Sequence, residues 1–210
     1  MTRRPTGLYV LTDAVLRTHA DLLARASAAL DGGAQTLQYR DKTHDRKRRL
    51  TEARALRDCC RRAGAVFIVN DDIELAEQVG ADGVHLGEHD VDVAAARARL
   101  GPRVCIGASC YGDLQRARRM VAAGADYLAF GAVRASATKP GARILPPGRL
   151  IEARREFALP LVAIGGIDVD NLAEVMAAGV DAVAVTHAVF AAADPATAAR
   201  GLVTAMQAAG

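Results

Sequence analysis

The stretch Val66-Phe67-Ile68-Val69-Asn70-Asp71-Asp72, followed by Gly83-Val84-His85-Leu86-Gly87-Glu88-His89-Asp90, decides the fold. Each half is a short apolar run that empties at once into acids. A buried strand ending in carboxylates, twice in succession, is how a parallel α/β sheet puts charge at one rim. Grouped oxygen ligands of this kind suit Mg²⁺, which takes one or two carboxylates and leaves the rest to water and phosphate. The pattern predicts a Mg²⁺-phosphate site whose phosphate side comes from elsewhere in the chain.

Outward from that stretch, one junction recurs. Gly32-Gly33-Ala34, Gly64-Ala65, Gly80-Ala81-Asp82, Gly124-Ala125-Asp126 and Gly179-Val180-Asp181 each end an Ala-, Arg- and Leu-rich helical pattern and precede a β-rich run. Glycine just past a helix end supplies the left-handed residue that stops it. The runs are Thr36–Arg40, Val66–Asn70, Gly83–Leu86, Tyr127–Val133 and Ala182–Thr186, joined by Leu8–Thr12, Val104–Ser109 and Leu161–Ile167. Eight strands alternating with helices, at roughly 26 residues per unit, predict a compact (β/α)₈ TIM barrel. An open doubly wound sheet is the alternative, but it more often has fewer strands. No linker or charge block divides residues 1–210, so one domain is expected.

Composition narrows the function classes. A net charge of +3 over 210 residues argues for neither nucleic acid nor a membrane surface as partner. The residues before Thr12-Asp13 are too few for a signal-peptide core, and no apolar run approaches a membrane span. Cys59, Cys60, Cys105 and Cys110 have no C-x-x-C spacing, so reduced thiols in the cytoplasm are expected. The segment from Lys42 to Arg62 reads as an outer-ring helix with Leu50, Ala53, Leu56 and Cys60 on its buried face. Asp45, Glu52 and Asp58 would interleave with its arginines on the solvated side.

In a barrel of this kind the chemistry sits at the C-terminal rim. Gln38, Arg40 and Lys42 alternate at the end of the second strand and should share one face. A guanidinium fork and an ammonium arriving together suit a pyrophosphate. The third strand delivers Asn70 and Asp71, the region after the fourth Asp90, and the fifth Ser109. A long segment from Arg134 to Gly148, holding Ser136, Thr138 and Lys139, reads as a loop and a candidate lid. Gly165-Gly166 and Thr186-His187 close the circle after the last two strands, where barrels commonly hold phosphate.

Two patterns point elsewhere and fail on context. His85-Leu86-Gly87-Glu88-His89 fits H-x-x-E-H, but that zinc motif needs both histidines on one helix face, whereas His85 lies in a strand and Gly87 breaks any helix. Ser109-Cys110 lacks the G-x-S-x-G elbow, and the sequence places no base beside it, so Ser109 reads as a hydrogen-bonding residue.

Six segments in order resemble the thiamine-phosphate synthase family over essentially the whole chain. They are Gln38-Tyr39-Arg40-Asp41-Lys42, Val69-Asn70-Asp71, Gly83 to Asp90, Ile106-Gly107-Ala108-Ser109, Thr138-Lys139 and Ala163-Ile164-Gly165-Gly166-Ile167. The resemblance implies a Mg²⁺-dependent barrel transferase. It would join 4-amino-2-methyl-5-hydroxymethylpyrimidine diphosphate to hydroxyethylthiazole phosphate, releasing pyrophosphate. It assigns Gln38, Tyr39, Arg40, Asp41, Lys42, Asn70, Ser109 and Lys139 to the pyrimidine diphosphate. Of these, Arg40, Lys42, Ser109 and Lys139 would be catalytic. It assigns Asp71 and Asp90 to Mg²⁺, and Ser136, Thr138, Gly166, Thr186 and His187 to the thiazole phosphate. A homo-oligomer is left open. The same barrel also serves thiazole tautomerases, which lack the metal carboxylates and carry a His where this chain has Ala132. A non-catalytic phosphate-binding barrel would leave the paired acids unexplained.

Overall fold

The computed structural model describes residues 2–12, 18–135 and 141–209. Its eight strands are β1 (Gly7–Leu11), β2 (Thr36–Tyr39), β3 (Val66–Asn70), β4 (Gly83–Leu86), β5 (Cys105–Tyr111), β6 (Tyr127–Gly131), β7 (Leu161–Ile164) and β8 (Ala182–Val185). They pair in sequence order, all in parallel, and β8 returns to β1, so the sheet is a closed barrel. All eight expected strands are present. β5 runs two residues past its expected end, and β6 and β7 stop short of theirs. No helix among the described residues is long and apolar enough to cross a membrane.

Alternation along each strand sorts the apolar residues into two cores. Tyr9, Leu11, Val66, Ile68, Cys105, Tyr127, Ala129, Val162, Ala182 and Ala184 fill the bore. Leu8, Val10, Leu37, Phe67, Val69, Val84, Ile106, Leu128, Phe130 and Val183 face outward under the helices. Both faces of each strand are thus covered, which is why these runs are nearly continuously apolar.

Helix α1 (His19–Asp31) joins β1 to β2, and the helix between β2 and β3, α2 (Arg46–Ala63), begins later than the sequence pattern suggested. Asp45 accepts from the Arg48 N–H at 3.0 Å and caps it, leaving Lys42 on the rim. Gly64 and Gly80 end α2 and α3 (Ile73–Val79) in the left-handed conformation the junctions called for. One reading of α2 needs correction: Glu52 is not solvated but 4% exposed. It accepts a 2.6 Å hydrogen bond from the Tyr39 hydroxyl, so the helix face carries one buried acid that locks it to β2. Cys59 and Cys60 are buried free thiols, not nucleophiles at a rim.

The junction residue just before each even strand has a second task. Gln35 Oε1 accepts from the Leu8 N–H at 3.0 Å, and Asp82 Oδ2 from the Phe67 N–H at 2.8 Å. Asp126 Oδ2 accepts from the Ile106 N–H at 2.9 Å, and Asp181 Oδ2 from the Leu161 N–H at 2.8 Å. Four side chains thus tie β1 to β2, β3 to β4, β5 to β6 and β7 to β8 at the barrel's N-terminal end. Asp82→Ala should leave the Phe67 N–H without its partner and lower stability by about 1–3 kcal/mol. A shift of the urea midpoint at unchanged slope checks this.

Candidate active site

A cavity of about 340 Å³ lies at the C-terminal mouth of the bore, lined by Arg40, Ser109, Gly166, Thr186 and His187 among others. These five were expected at the rim, and the fold gathers them from β2, β5, β7 and β8. Its walls also include Thr12, Tyr111 and Arg143, which sequence reasoning had not assigned. Thr12 follows the same strand-end rule as the others. Its hydroxyl accepts from the Arg40 N–H at 2.9 Å and so fixes where that guanidinium starts. Tyr111 enters because β5 is longer than expected and shifts register against β6 between Ser109 and Tyr111. Irregularities of this kind re-aim side chains beside binding sites. Arg143 comes from the loop after β6, where no periodicity flags a position.

Arg116 holds this rim together. Its guanidinium donates to the Ser109 carbonyl at 2.7 Å and the Gly87 carbonyl at 3.0 Å, joining the ends of β5 and β4. Gly166, at φ +64°, packs so closely on the loop after β6 that a Cβ would lie 2.6 Å from the Ala135 carbonyl oxygen. What packs on Gly166 is thus the backbone of that loop. Ser136, Thr138 and Lys139, assigned by resemblance to the two ligands, lie outside the described residues.

The acid side of the rim stands next to the cavity. Lys42 makes an ion pair with Asp71. Asn70 Nδ2 donates to Asp71 at 2.6 Å, and the Gly87 N–H donates to Asp90 at 2.6 Å. Asp71 itself sits at φ +62°, a conformation sparsely used by residues other than glycine and tolerated best by Asp and Asn. Burial first, and then hydrogen bonding to Asp90, raise Asp71 above the usual carboxylate range despite Lys42. Burial also pushes Asp90 upward, but the Asp71 carboxyl, the Gly87 N–H and the Lys42 charge together hold it below that range. Two carboxyl groups facing each other beside a single ammonium form an oxygen-only donor set that a small divalent cation would relieve, so the residues fit Mg²⁺.

Tyr39 and Asp41 do not share that face. Tyr39 is buried against α2 through Glu52, and the Asp41 carboxylate pairs with Arg48 and accepts from the Thr43 N–H at 2.7 Å. Alternation sends Gln38, Arg40 and Lys42 to the bore and rim and the two between them to the helix layer. Both side chains bind β2 to α2.

Below the cavity the bore carries polar side chains. Gln38 Nε2 donates to the Tyr9 hydroxyl at 2.6 Å, and the Tyr9 and Tyr127 hydroxyls lie 3.1 Å apart. Tyr127 reaches His85 Nδ1 at 2.9 Å, and His85 Nε2 meets Ser109 Oγ at 2.9 Å. The sequence alone places no base beside Ser109, but the fold does. β4 and β5 run side by side, with His85 opposite Gly107, and this brings together two residues far apart in sequence. His85 belongs to the bore, as its strand position suggested, and His89 is exposed. Among the described residues no group of three or more His, Cys, Asp or Glu is arranged to hold a metal.

A closed parallel barrel with cations, acids and backbone turns gathered at its C-terminal mouth is the architecture of enzymes that handle phosphorylated small molecules. The chain belongs to the thiamine monophosphate synthase family, whose model matches residues 8–189. It is 54% identical over 199 residues to the thiamine-phosphate synthase of Thioalkalivibrio sulfidiphilus, covering 95% of this chain and 94% of that one. It is 50% identical to the enzyme of the same name from Halorhodospira halophila, over 99% of both chains. Among solved structures, thiamine phosphate pyrophosphorylase from Pyrococcus furiosus superposes with a TM-score of 0.89 at 35% identity, covering 97% of this chain and 96% of that one.

Gly107 shows how tightly the bore is filled: a Cβ there would lie 1.9 Å from Cζ of Tyr127. Gly107→Ala should cost about 1–3 kcal/mol through overpacking. In a Tyr127→Ala background the same change should cost little, which a double-mutant cycle of denaturant melts measures.

Proposed function

We propose that this chain is the transferase that condenses 4-amino-2-methyl-5-hydroxymethylpyrimidine diphosphate with hydroxyethylthiazole phosphate to give thiamine phosphate and pyrophosphate. The observation that carries this reading is the Lys42–Asp71–Asp90 cluster standing beside a cavity that holds Arg40 and Ser109. Family membership over residues 8–189 supports the choice of substrates.

The reaction begins with departure of the diphosphate from a pyrimidine methylene. The ring's amino group stabilises the cation that remains, and the thiazole nitrogen captures it. Arg40 and Lys42 stabilise the charge that builds on the leaving oxygens, with Asp71 and Asp90 as the residues that would hold Mg²⁺. When bound, the metal adds positive charge where the diphosphate departs. The apolar walls from Leu11, Ala129, Ile164 and Ala184 exclude water that would otherwise capture the cation. No protein nucleophile is needed, and Ser109 serves by hydrogen bonding. The second phosphate is met on the β7–β8 side, by Gly166, Thr186 and His187, with Arg143 within reach of the same cavity. A tautomerase would need a proton-transfer group at Ala132, which brings only a methyl to the cavity wall.

Purified protein incubated with both precursors and Mg²⁺ should form thiamine phosphate and pyrophosphate. If neither product forms after long incubation, the proposal is wrong. Asp71→Ala should lower turnover on the order of 100-fold. Mg²⁺ with pyrophosphate should raise the melting temperature of the wild type and fail to do so in an Asp71→Ala/Asp90→Ala double variant.

A further inference from the structure

Five side chains from five strands form one continuous hydrogen-bonded chain through the bore. In order they are Gln38, Tyr9, Tyr127, His85 and Ser109. Gln38, Tyr9 and Tyr127 are at most 2% exposed and His85 is 9% exposed, so water does not stand in for a missing partner. Burial above all pushes the Tyr9 and Tyr127 hydroxyls far above the usual phenol range, so each keeps its proton. A hydroxyl that donates to one neighbour accepts from the other. Only two directions therefore satisfy every link, and choosing one link fixes all the rest.

The geometry at Gln38 makes the choice. Its Nε2 stands 2.6 Å from the Tyr9 oxygen, while its buried Oε1 meets no hydrogen-bond donor of the described residues. A primary amide nitrogen only donates. Tyr9 must then donate to Tyr127, Tyr127 to His85 Nδ1, and the His85 proton sits on Nε2, facing Ser109 Oγ. Ser109 accepts that proton's hydrogen bond, which leaves its own O–H to donate into the cavity it lines.

We propose that Tyr9, Tyr127 and His85 are positioning residues that set the polarity of the pocket through this one-way chain. Gln38, buried below the cavity, sets the direction, and Ser109 at the cavity wall is held as a donor to a ligand lone pair or oxyanion. A ligand presenting its own donor there would meet Ser109 hydrogen to hydrogen. The opposite direction would turn Ser109 Oγ–H onto His85 and expose an activated lone pair, as a nucleophilic serine requires. The structure thus places His85 beside Ser109 without making the pair a nucleophile and its base. The effect on turnover rests on the activity proposed above, but the chain's direction does not.

The test reads the imidazole directly. The full-length protein, labelled with ¹⁵N-histidine, gives two-bond ¹H–¹⁵N correlations in which the His85 signals are identified by their loss from His85→Gln. A bare, pyridine-like Nδ1 and a protonated Nε2 are expected. Tyr127→Phe keeps the ring that stacks on His85 at 5.5 Å and removes only the donor. In that variant the single tautomer should give way to a mixture, and kcat/KM should fall about tenfold, the scale of one well-placed hydrogen bond. Tyr9→Phe separates Gln38 from the rest of the chain and should release the tautomer in the same way. A loss of general stability would not change the tautomer. A protonated Nδ1 in the wild type overturns the proposal and needs no variant to fold. Unchanged tautomer and unchanged kcat/KM in a folded Tyr127→Phe overturn it as well. The expected spectrum in a protein that makes no thiamine phosphate would uphold the chain and refute the assigned activity.

Discussion

Closing eight parallel strands into a ring leaves no edge where a slip in register can be absorbed. Moving one strand by a residue exchanges its bore and helix faces and forces every neighbour to follow. The four side-chain ties from Gln35, Asp82, Asp126 and Asp181 act on this constraint, because each fixes one strand start against the next. With starts fixed at the N-terminal end, the positions that emerge at the opposite rim are fixed too. Arg40, Asn70, Ser109 and Thr186 reach the mouth because of what is bonded at the floor.

The rim divides by chemistry. On one side the ends of β2, β3 and β4 bring Lys42, Asn70, Asp71 and Asp90 into a cluster of charge. On the other, β6, β7 and β8 bring small residues and backbone to an apolar cavity wall. Arg40 and Ser109 stand between them. A ring that must lose a diphosphate at one face and meet a nucleophile at the other needs just such an asymmetric seat. Arg116, which bonds the carbonyls of both Gly87 and Ser109, ties the charged side to the strand that stands next to it.

Much of this was legible because strand ends speak locally. Val66–Asn70 followed by Asp71, or Gly165-Gly166 after a buried run, needs no knowledge of neighbours to be placed at the rim. Alternation likewise separates Gln38 and Arg40 from Tyr39 and Asp41, although a shared segment first drew all of them into one assignment. What stayed hidden depends on register between strands. His85 meets Ser109, and Tyr127 fills the space above Gly107, only after β4, β5 and β6 have been laid side by side. Glu52 was hidden for a related reason: a charged residue among arginines reads as solvated until its partner on another element is known. The register shift that brings Tyr111 to the cavity leaves no mark in hydrophobic periodicity.

The floor ties also divide the barrel into four equal parts, each a pair of strands with its own internal bond. Among the described residues, the seams between β2 and β3, β4 and β5, β6 and β7, and β8 and β1 are crossed by backbone pairing without a tie of this kind. The quarter-barrel is thus the smallest piece of this molecule that carries its own alignment bond, and cutting the chain at a seam would leave all four ties intact.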